Sequence, residues 1–260
     1  MNAKRDKNRI RRQFVKNNID IEKSDILEIG AFDSPTFSKE EASIYYCDYF
    51  SKEELGQNHN EAKPQRVAQA VDIDYVIKGN RFKESIDKKF DLVIANHVVE
   101  HTPNIIDWLQ NISSVLKEGG KLFLTVPHKE YTFDKMRQTT PLREVIRNYD
   151  DGLLVPNRYQ IFDHLYFYRP FRAHMVWENE YDRIFHKRRF KTATDAWAEV
   201  DRRLSITDYV DVHCSVFTYQ SFVEMIRDLH GASYIDLRTT DTQDVVKPYN
   251  EFYVMLSLPK

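Results

Sequence analysis

Residues 25–35 read DILEIGAFDSP, and this stretch decides the class of fold that the chain can adopt. The apolar run of Ile26, Leu27 and Ile29 predicts a short strand that is buried on both faces. Gly30 follows at once and opens a polar turn. A buried strand that ends in glycine and a tight turn is where a parallel α/β sheet places a nucleotide, because glycine lets the backbone approach the ligand. With a single glycine the dinucleotide pattern GxGxxG is absent, so the motifs that follow carry the argument.

Composition limits the classes of protein that the chain can belong to. At 260 residues, 42% of them hydrophobic, it is long enough for one large domain or for a domain with an insertion. A formal net charge of −2 gives no reason to expect nucleic acid as a partner. Cys47 and Cys214 do not make a disulfide framework, and no apolar run has the length of a membrane span. The basic N-terminus lacks the apolar core of a secretory signal, and we expect a cytoplasmic protein.

The predicted second and third strands carry acidic residues. Residues 43–48 are rich in strand formers and end at Asp48, near the distance from Gly30 at which such folds place the carboxylate that binds ribose hydroxyls. A strand-end aspartate that caps the next turn is the alternative. Residues 71–77 alternate as a strand and contain Asp72-x-Asp74, a spacing that some glycosyltransferases use for a divalent ion. A solvated strand face is the simpler interpretation of that pair.

A strand–helix–strand unit follows. Residues 90–96 predict a buried strand, and Thr102 with Pro103 predicts a helix start. Gly119-Gly120 predicts the end of that helix, and residues 121–126 form the next strand. This order implies a parallel sheet with a right-handed crossover.

The segment between strand and helix, residues 97–101, reads HVVEH and matches the zinc-protease pattern H-x-x-E-H. That chemistry needs both histidines on one helix. Here the segment joins a strand to a separate helix, so a ligand-contacting loop is the better interpretation.

The remaining chain divides into an insertion and a closing unit. Residues 128–217 are rich in aromatic residues and histidine, and residues 178–204 predict a charged helix. We interpret 128–217 as a lid or substrate wall, the alternative being a helical appendage with its own small core. Residues 218–229 predict a helix, and residues 234–237 and 252–256 predict two antiparallel strands.

Four stretches, LEIGAFDSP, YYCDY, FDLVIANHVVEHTPN and LKEGGKLFLTVPHKEYTFD, together resemble class I S-adenosylmethionine-dependent methyltransferases. The stretch DVHCSVFTYQSF is similar to a bacterial subgroup associated with glycan and secondary-product biosynthesis. The resemblance implies an α/β, Rossmann-like, seven-stranded and mostly parallel sheet with an antiparallel last hairpin. Residues 1–127 and 218–260 would form the cofactor-binding domain, and 128–217 a helical insertion after strand 5.

The resemblance also implies roles for residues at the carboxyl edge of the sheet. Those expected to bind S-adenosylmethionine are Glu28, Gly30, Ala31, Asp48, Asn96 and His97. The chain departs from the family pattern in that Phe32 and Ser34 stand where glycines are common. An acidic residue often found near the adenine, after the third strand, is missing.

The expected reaction is O-methylation of a small polar acceptor such as a sugar, a nucleotide sugar or a phosphoryl-linked precursor of a surface glycan, with N-methylation of a natural-product amine as the alternative. Removal of a hydroxyl proton needs a base, and histidine titrates near neutral pH. The candidate catalytic residues are His97, His128 and His213, and the candidate acceptor-binding residues are His101, Tyr131, Arg137 and His164. No metal ligand set is expected, because neither a CxxC nor a helical HxxxH pair is present.

Two other functions stay open at this point. One is an NAD-dependent Rossmann oxidoreductase or epimerase acting on nucleotide sugars, and the other is a catalytically silent partner subunit that keeps the cofactor site. The missing glycines and the HVVEH loop count against the first, and Glu28, Gly30 and Asp48 count against the second.

Overall fold

The computed structural model describes residues 3–54, 64–180 and 182–260. Its seven-stranded sheet has the order β3-β2-β1-β4-β5-β7-β6. Strands β1 to β5 run parallel, and β7 pairs antiparallel with both β5 and β6. The predicted fold class is confirmed. The strands are β1 Asp25–Ile29, β2 Ser43–Asp48, β3 Tyr75–Val76, β4 Phe90–Asn96, β5 Leu116–Pro127, β6 Arg238–Gln243 and β7 Glu251–Ser257.

The helices cover both faces of the sheet and build the insertion. Those with described bounds are α1 Ala3–Asn18, α2 Pro64–Ala68, α3 Phe82–Ser85, α4 Ile105–Val115, α5 Leu142–Asp150, α6 Arg158–Phe167, α7 Ala173–Trp177, α8 Asp182–Phe185, α9 Ala193–Leu204 and α10 Tyr219–Gly231. In the part of the chain that is described, no helix has the length and apolar character needed to cross a bilayer.

Two apolar layers sandwich the sheet. On one face the alternate β-strand residues Leu27 and Val93 pack with α4 and α10. On the other face Ile26 and Leu92 pack with Phe14 and Val15 of α1. Because every second residue of a strand points to the same face, the continuous apolar runs of β1 and β4 supply both layers. The central strands are thereby fixed, and their carboxyl ends meet at one edge.

Several predicted boundaries are wrong, for identifiable reasons. Residues 234–237 are not a strand, and β6 lies instead at Arg238–Gln243, between the two segments predicted as strands. Ile235 and Leu237 are apolar because they are buried in the core beside α10, not because they pair in the sheet. Only Tyr75–Val76 of the predicted strand 71–77 pairs with β2.

The crossover helix α4 also begins and ends differently from the prediction. Its N-cap is Asn104, whose side chain accepts a hydrogen bond from the backbone of Asp107, so Thr102 and Pro103 precede the helix. The helix ends at Val115, and Gly119-Gly120 lies inside β5 where the register with β4 shifts. Asparagine is as good a cap as threonine, which is why sequence alone misplaces the start.

The insertion leaves and rejoins the sheet at neighbouring points. His128 and Phe217 form a parallel bridge, so residues 128–217 begin and end beside the carboxyl end of β5. Helices α6 and α9 pack on a small apolar cluster that includes Ile161 and Val200. Residues 178–204 contain α8 and α9 instead of one helix. The insertion therefore has a core of its own while staying anchored at the functional edge.

Candidate functional site

A cleft lies where β1 and β2 end. It has a volume of about 160 Å³ and is lined by Gly30, Asp48, Tyr49 and Asn80 on the sheet side. Gly30 has φ +70, and a Cβ there would lie 3.2 Å from Val98 Cγ2, so this turn needs glycine. The order of a parallel sheet brings these residues together, as the positions of Gly30 and Asp48 predicted.

The insertion closes one side of the same cleft. Leu154 and Tyr209 line it, and the Tyr209 ring stacks on Tyr49 with 5.0 Å between the ring centres. Two stacked aromatic rings beside a carboxylate suit a flat base attached to a ribose. Tyr209 was not among the residues predicted for the site, because nothing in its local sequence marks it.

A second cavity, of about 710 Å³, adjoins the first at Gly30. Glu28, Ala31, Asn96 and His97 line it, together with Lys7 and Arg11 of α1. All six residues predicted to bind the cofactor therefore lie along the two cavities that share Gly30. The cationic Lys7 and Arg11 give the second cavity groups that attract a carboxylate.

Glu28 is fully buried and fastens the turn after β1. The Thr36 backbone N–H donates to both of its carboxylate oxygens, at 2.9 and 2.8 Å, and the Thr36 hydroxyl and the Asn96 amide donate to Oε1 at 2.7 and 3.0 Å. Burial raises the pKa of Glu28 to about 7, although these donors favour the ionised form. The carboxylate thus shapes the floor of the second cavity.

A stability measurement tests the state of Glu28. Its pKa is higher in the folded chain than in the unfolded chain, so the folded state holds a proton that the unfolded state loses, and stability falls as pH rises from about 4.5 to about 7. Relative to Glu28→Gln, which cannot ionise, the wild type should lose on the order of 3 kcal/mol over that range. Urea unfolding of both proteins at several pH values measures this. A pH-independent difference would show that Glu28 is ionised throughout.

His97 is held by two carboxylates in a left-handed backbone conformation. Its φ is +55, its Nε2 lies 2.6 Å from Glu251 Oε2, and its Nδ1 lies 3.3 Å from Glu100 Oε1. Burial alone would lower the pKa of His97, but the two carboxylates outweigh it and raise the pKa. A histidine held in the charged form orients its neighbours better than it accepts a proton.

Glu251 gathers three cations at the start of β7. Arg11 donates to both of its oxygens at 2.8 and 2.6 Å, and the Lys7 Nζ lies 2.6 Å from Oε2. Burial opposes ionisation of Glu251, but His97, Arg11 and Lys7 hold its pKa well below the usual value. Sequence reasoning missed Glu251, although an acidic residue that opens the apolar run of β7 is a signal that could have found it.

Beside the first cleft, Glu100, His101 and His213 form a compact group that we call the His–Glu cluster. One potential ligand atom from each lies within 4.8 Å of the others. The Nδ1 of His101 lies 2.7 Å from Asp211 Oδ1, and the Nδ1 of His213 lies 2.5 Å from Asp134 Oδ2. His101 also lines the cleft, so the cluster borders the place where a cofactor-bound acceptor would lie.

The carboxylates set the charge of these groups. Burial would lower the pKa of His101, but Asp211 raises it to about 9. Burial works against ionisation of Asp134 as well, yet His213 and Arg137 bring its pKa down to about 2. His101 and Asp134 are both charged at neutral pH.

The remaining residues predicted for the site do not share one environment. Arg137 is buried and donates to Asp134 and to the His213 carbonyl, so it supports the cluster from behind. His164 accepts from the His213 backbone N–H, and burial lowers its pKa to about 3. Tyr131 stacks on Trp177 with ring centres 4.2 Å apart. His128 packs between Tyr131 and Phe252, and burial lowers its pKa.

The two cavities fit S-adenosylmethionine on structural grounds. Asp48, Tyr49 and Tyr209 would hold the adenosine, while the cationic and polar lining of the second cavity would hold the amino acid portion. A family model described as a methyltransferase domain matches residues 7–193. The chain belongs to this methyltransferase family. The predicted enzyme class, a methyltransferase that uses S-adenosylmethionine, is confirmed.

Solved structures similar to this methyltransferase are distant in sequence. The magnesium protoporphyrin IX methyltransferase of Synechocystis PCC 6803 with bound SAH is 10% identical, with a TM-score of 0.43 over 98% of this chain and 83% of that chain. The 1,6-didemethyltoxoflavin-N1-methyltransferase of Burkholderia thailandensis is 13% identical, with a TM-score of 0.46 over 100% of this chain and 79% of that chain.

A structure from Rhodobacter sphaeroides, described as a candidate Zn-dependent alcohol dehydrogenase, is 15% identical, with a TM-score of 0.49 over 96% of this chain and 90% of that chain. Likenesses with TM-scores below 0.5 do not indicate the activity of this chain. The family assignment rests on the family model alone. Among curated proteins, none matches this sequence.

Proposed function

We propose that this methyltransferase O-methylates a small polar acceptor, such as a sugar, a nucleotide sugar or a phosphoryl-linked glycan precursor. The observation that carries the proposal is the His–Glu cluster at the edge of the cofactor cleft. A hydroxyl nucleophile must lose its proton, whereas a neutral amine can attack without losing one first, so a polar cluster at this position favours an oxygen acceptor.

The residues of the chain would divide the work of methyl transfer. S-adenosylmethionine supplies an electrophilic methyl group on a sulfonium. Asp48 and the stacked Tyr49 and Tyr209 would fix the nucleoside. His101 would donate a hydrogen bond to the acceptor oxygen, and the hydroxyl proton would pass to His213 or to water. Of the three histidines predicted as catalytic, His213 is the best candidate, because its ring contacts that of His101, with ring centres 4.7 Å apart. His97 is better suited to orienting the loop.

Cofactor binding separates this proposal from an NAD-dependent enzyme. S-adenosylhomocysteine should raise the melting temperature, and NAD should leave it unchanged, because a ligand that binds only the folded state stabilises it. A shift with NAD alone would overturn the methyltransferase proposal.

The ribose contact gives a second measurement. Asp48→Ala should weaken S-adenosylhomocysteine binding by about 1.5–3 kcal/mol, since the carboxylate accepts hydrogen bonds from ribose hydroxyls. Calorimetry on the folded variant measures the loss. Asp72→Ala, whose side chain is 88% exposed, is the matched control and should bind as the wild type does. Equal affinity in both variants would exclude the ribose role of Asp48.

The acceptor itself is found by transfer of a labelled methyl group. Incubation with nucleotide-linked sugars, free sugars, sugar phosphates and small amines should label a hydroxyl of the sugar class, with the position read by NMR of the product. Labelling confined to amines would contradict O-methylation while leaving the cofactor assignment intact. Labelling of none of these acceptors, with the cofactor bound, would favour the silent partner subunit.

A further inference from the structure

Glu100 is buried in an unusual way. Its side chain is 1% exposed, and neither carboxylate oxygen receives a hydrogen bond from the described residues. The nearest cationic group is His97, whose Nδ1 lies 3.3 Å from Oε1. A buried carboxylate normally has hydrogen-bond donors, and one without them calls for an explanation such as an ion.

The two histidines beside Glu100 are oriented as metal ligands are. Each ring has its Nδ1 bonded to an aspartate, His101 to Asp211 and His213 to Asp134. Metal-binding histidines commonly use one ring nitrogen for a carboxylate, which fixes the ring, and the other for the ion. The Nε2 of His101 lies 4.0 Å from Glu100 Oε1, on the side away from Asp211.

We propose that Glu100, His101 and His213 form a binding site for one divalent transition-metal ion. Two imidazoles and a carboxylate suit zinc, iron, manganese or cobalt, and three protein ligands leave positions open for water or a substrate oxygen. Ligand atoms around a tetrahedral ion lie about 3.3 Å apart, so distances within the cluster would shorten by up to about 1.5 Å on binding.

Metal binding itself does not depend on the proposed function. Where that function holds, the site deepens it, because an ion at the edge of the cofactor cleft would bind the acceptor oxygen and lower the pKa of its hydroxyl. This ligand set could not be predicted from the sequence, because His213 is far along the chain from the HVVEH loop. The two are joined by hydrogen bonds from the backbone N–H groups of Cys214 and Ser215 to the Glu100 carbonyl.

The test is direct titration of the full chain after dialysis against a chelator, with Co²⁺ as the probe. Saturation at one equivalent with visible d–d absorption, and displacement by Zn²⁺, would support the site. His101→Ala and His213→Ala should each weaken Co²⁺ binding at least about 100-fold. Asp211→Asn should weaken it about 10- to 100-fold, since a neutral amide replaces the carboxylate that orients His101 and makes its imidazole a stronger ligand. His230→Ala, on α10, is the matched histidine control and should bind Co²⁺ as the wild type does.

Absence of stoichiometric Co²⁺ binding would overturn the proposal, and so would unchanged binding in folded His101→Ala and His213→Ala. If those variants do not fold, Asp211→Asn decides, because it keeps all three ligands. Unchanged Co²⁺ affinity in Asp211→Asn would then overturn the site. None of these measurements uses an acceptor, so a failed methylation screen does not affect them.

Discussion

Glu251→Ala is expected to lower the free energy of unfolding by about 3–5 kcal/mol, because it leaves buried cations without their counter-charge. Glu251 is fully buried, and the charges of Lys7, Arg11 and His97 converge on it within 2.8 Å. Removing one partner of a buried ion pair is strongly destabilising, because the remaining charges stay desolvated without the attraction that offset the cost of burying them. Urea unfolding at neutral pH measures the loss.

A matched glutamate separates this effect from loss of any ion pair. Glu54 pairs with Lys78 at 3.2 Å, but both side chains are more than 40% exposed. Glu54→Ala should therefore change the free energy of unfolding little. Similar losses in the two variants would mean that the Glu251 network is as well hydrated as a surface pair.

The Glu251 network also marks where sequence reasoning stops. The strand that ends at Gly30, the acid at Asp48 and the crossover unit were all predictable, because each is written in a local pattern of apolar residues, glycine and charge. The partners of Glu251 were not predictable. Arg11 and His97 lie 240 and 154 positions away in sequence, and no local pattern indicates the contact.

Contacts between residues distant in sequence also explain why the candidate site was only partly predictable. The HVVEH loop follows a strand, as predicted, and its two histidines do not share a helix. The ring that completes the His–Glu cluster arrives from the end of the insertion instead. Similarly, Arg137 has a side chain that commonly binds anions, but it is buried beside Asp134 and supports the His–Glu cluster instead. Only the fold reveals this position.

Asp134→Ala is the second change with a large expected effect, a loss of about 3–5 kcal/mol in the free energy of unfolding. Asp134 is 2% exposed and lies between the Nδ1 of His213, at 2.5 Å, and the Nη1 of Arg137, at 3.1 Å. Alanine would leave a buried guanidinium with one carbonyl partner and an imidazole with no orienting carboxylate. Asp134→Asn keeps an acceptor oxygen and should lose less than Asp134→Ala does.

Hydrogen exchange shows whether the loss is local to the cluster. The backbone N–H of Cys214 donates to the Glu100 carbonyl at 2.7 Å, which ties the end of the insertion to the HVVEH loop. If Asp134 holds that junction together, the amides of Cys214 and Ser215 should exchange faster in Asp134→Ala. The amides of the central strand β4 should still exchange only through global unfolding.

Asp201→Ala is the control, because it removes an ion pair with Arg158 in which both side chains are more than half exposed. It should change neither the free energy of unfolding nor the exchange of these amides measurably. Unaltered exchange at Cys214 in Asp134→Ala would mean that the insertion is held by its apolar cluster alone, and that the polar cluster contributes to chemistry but not to the attachment of the insertion.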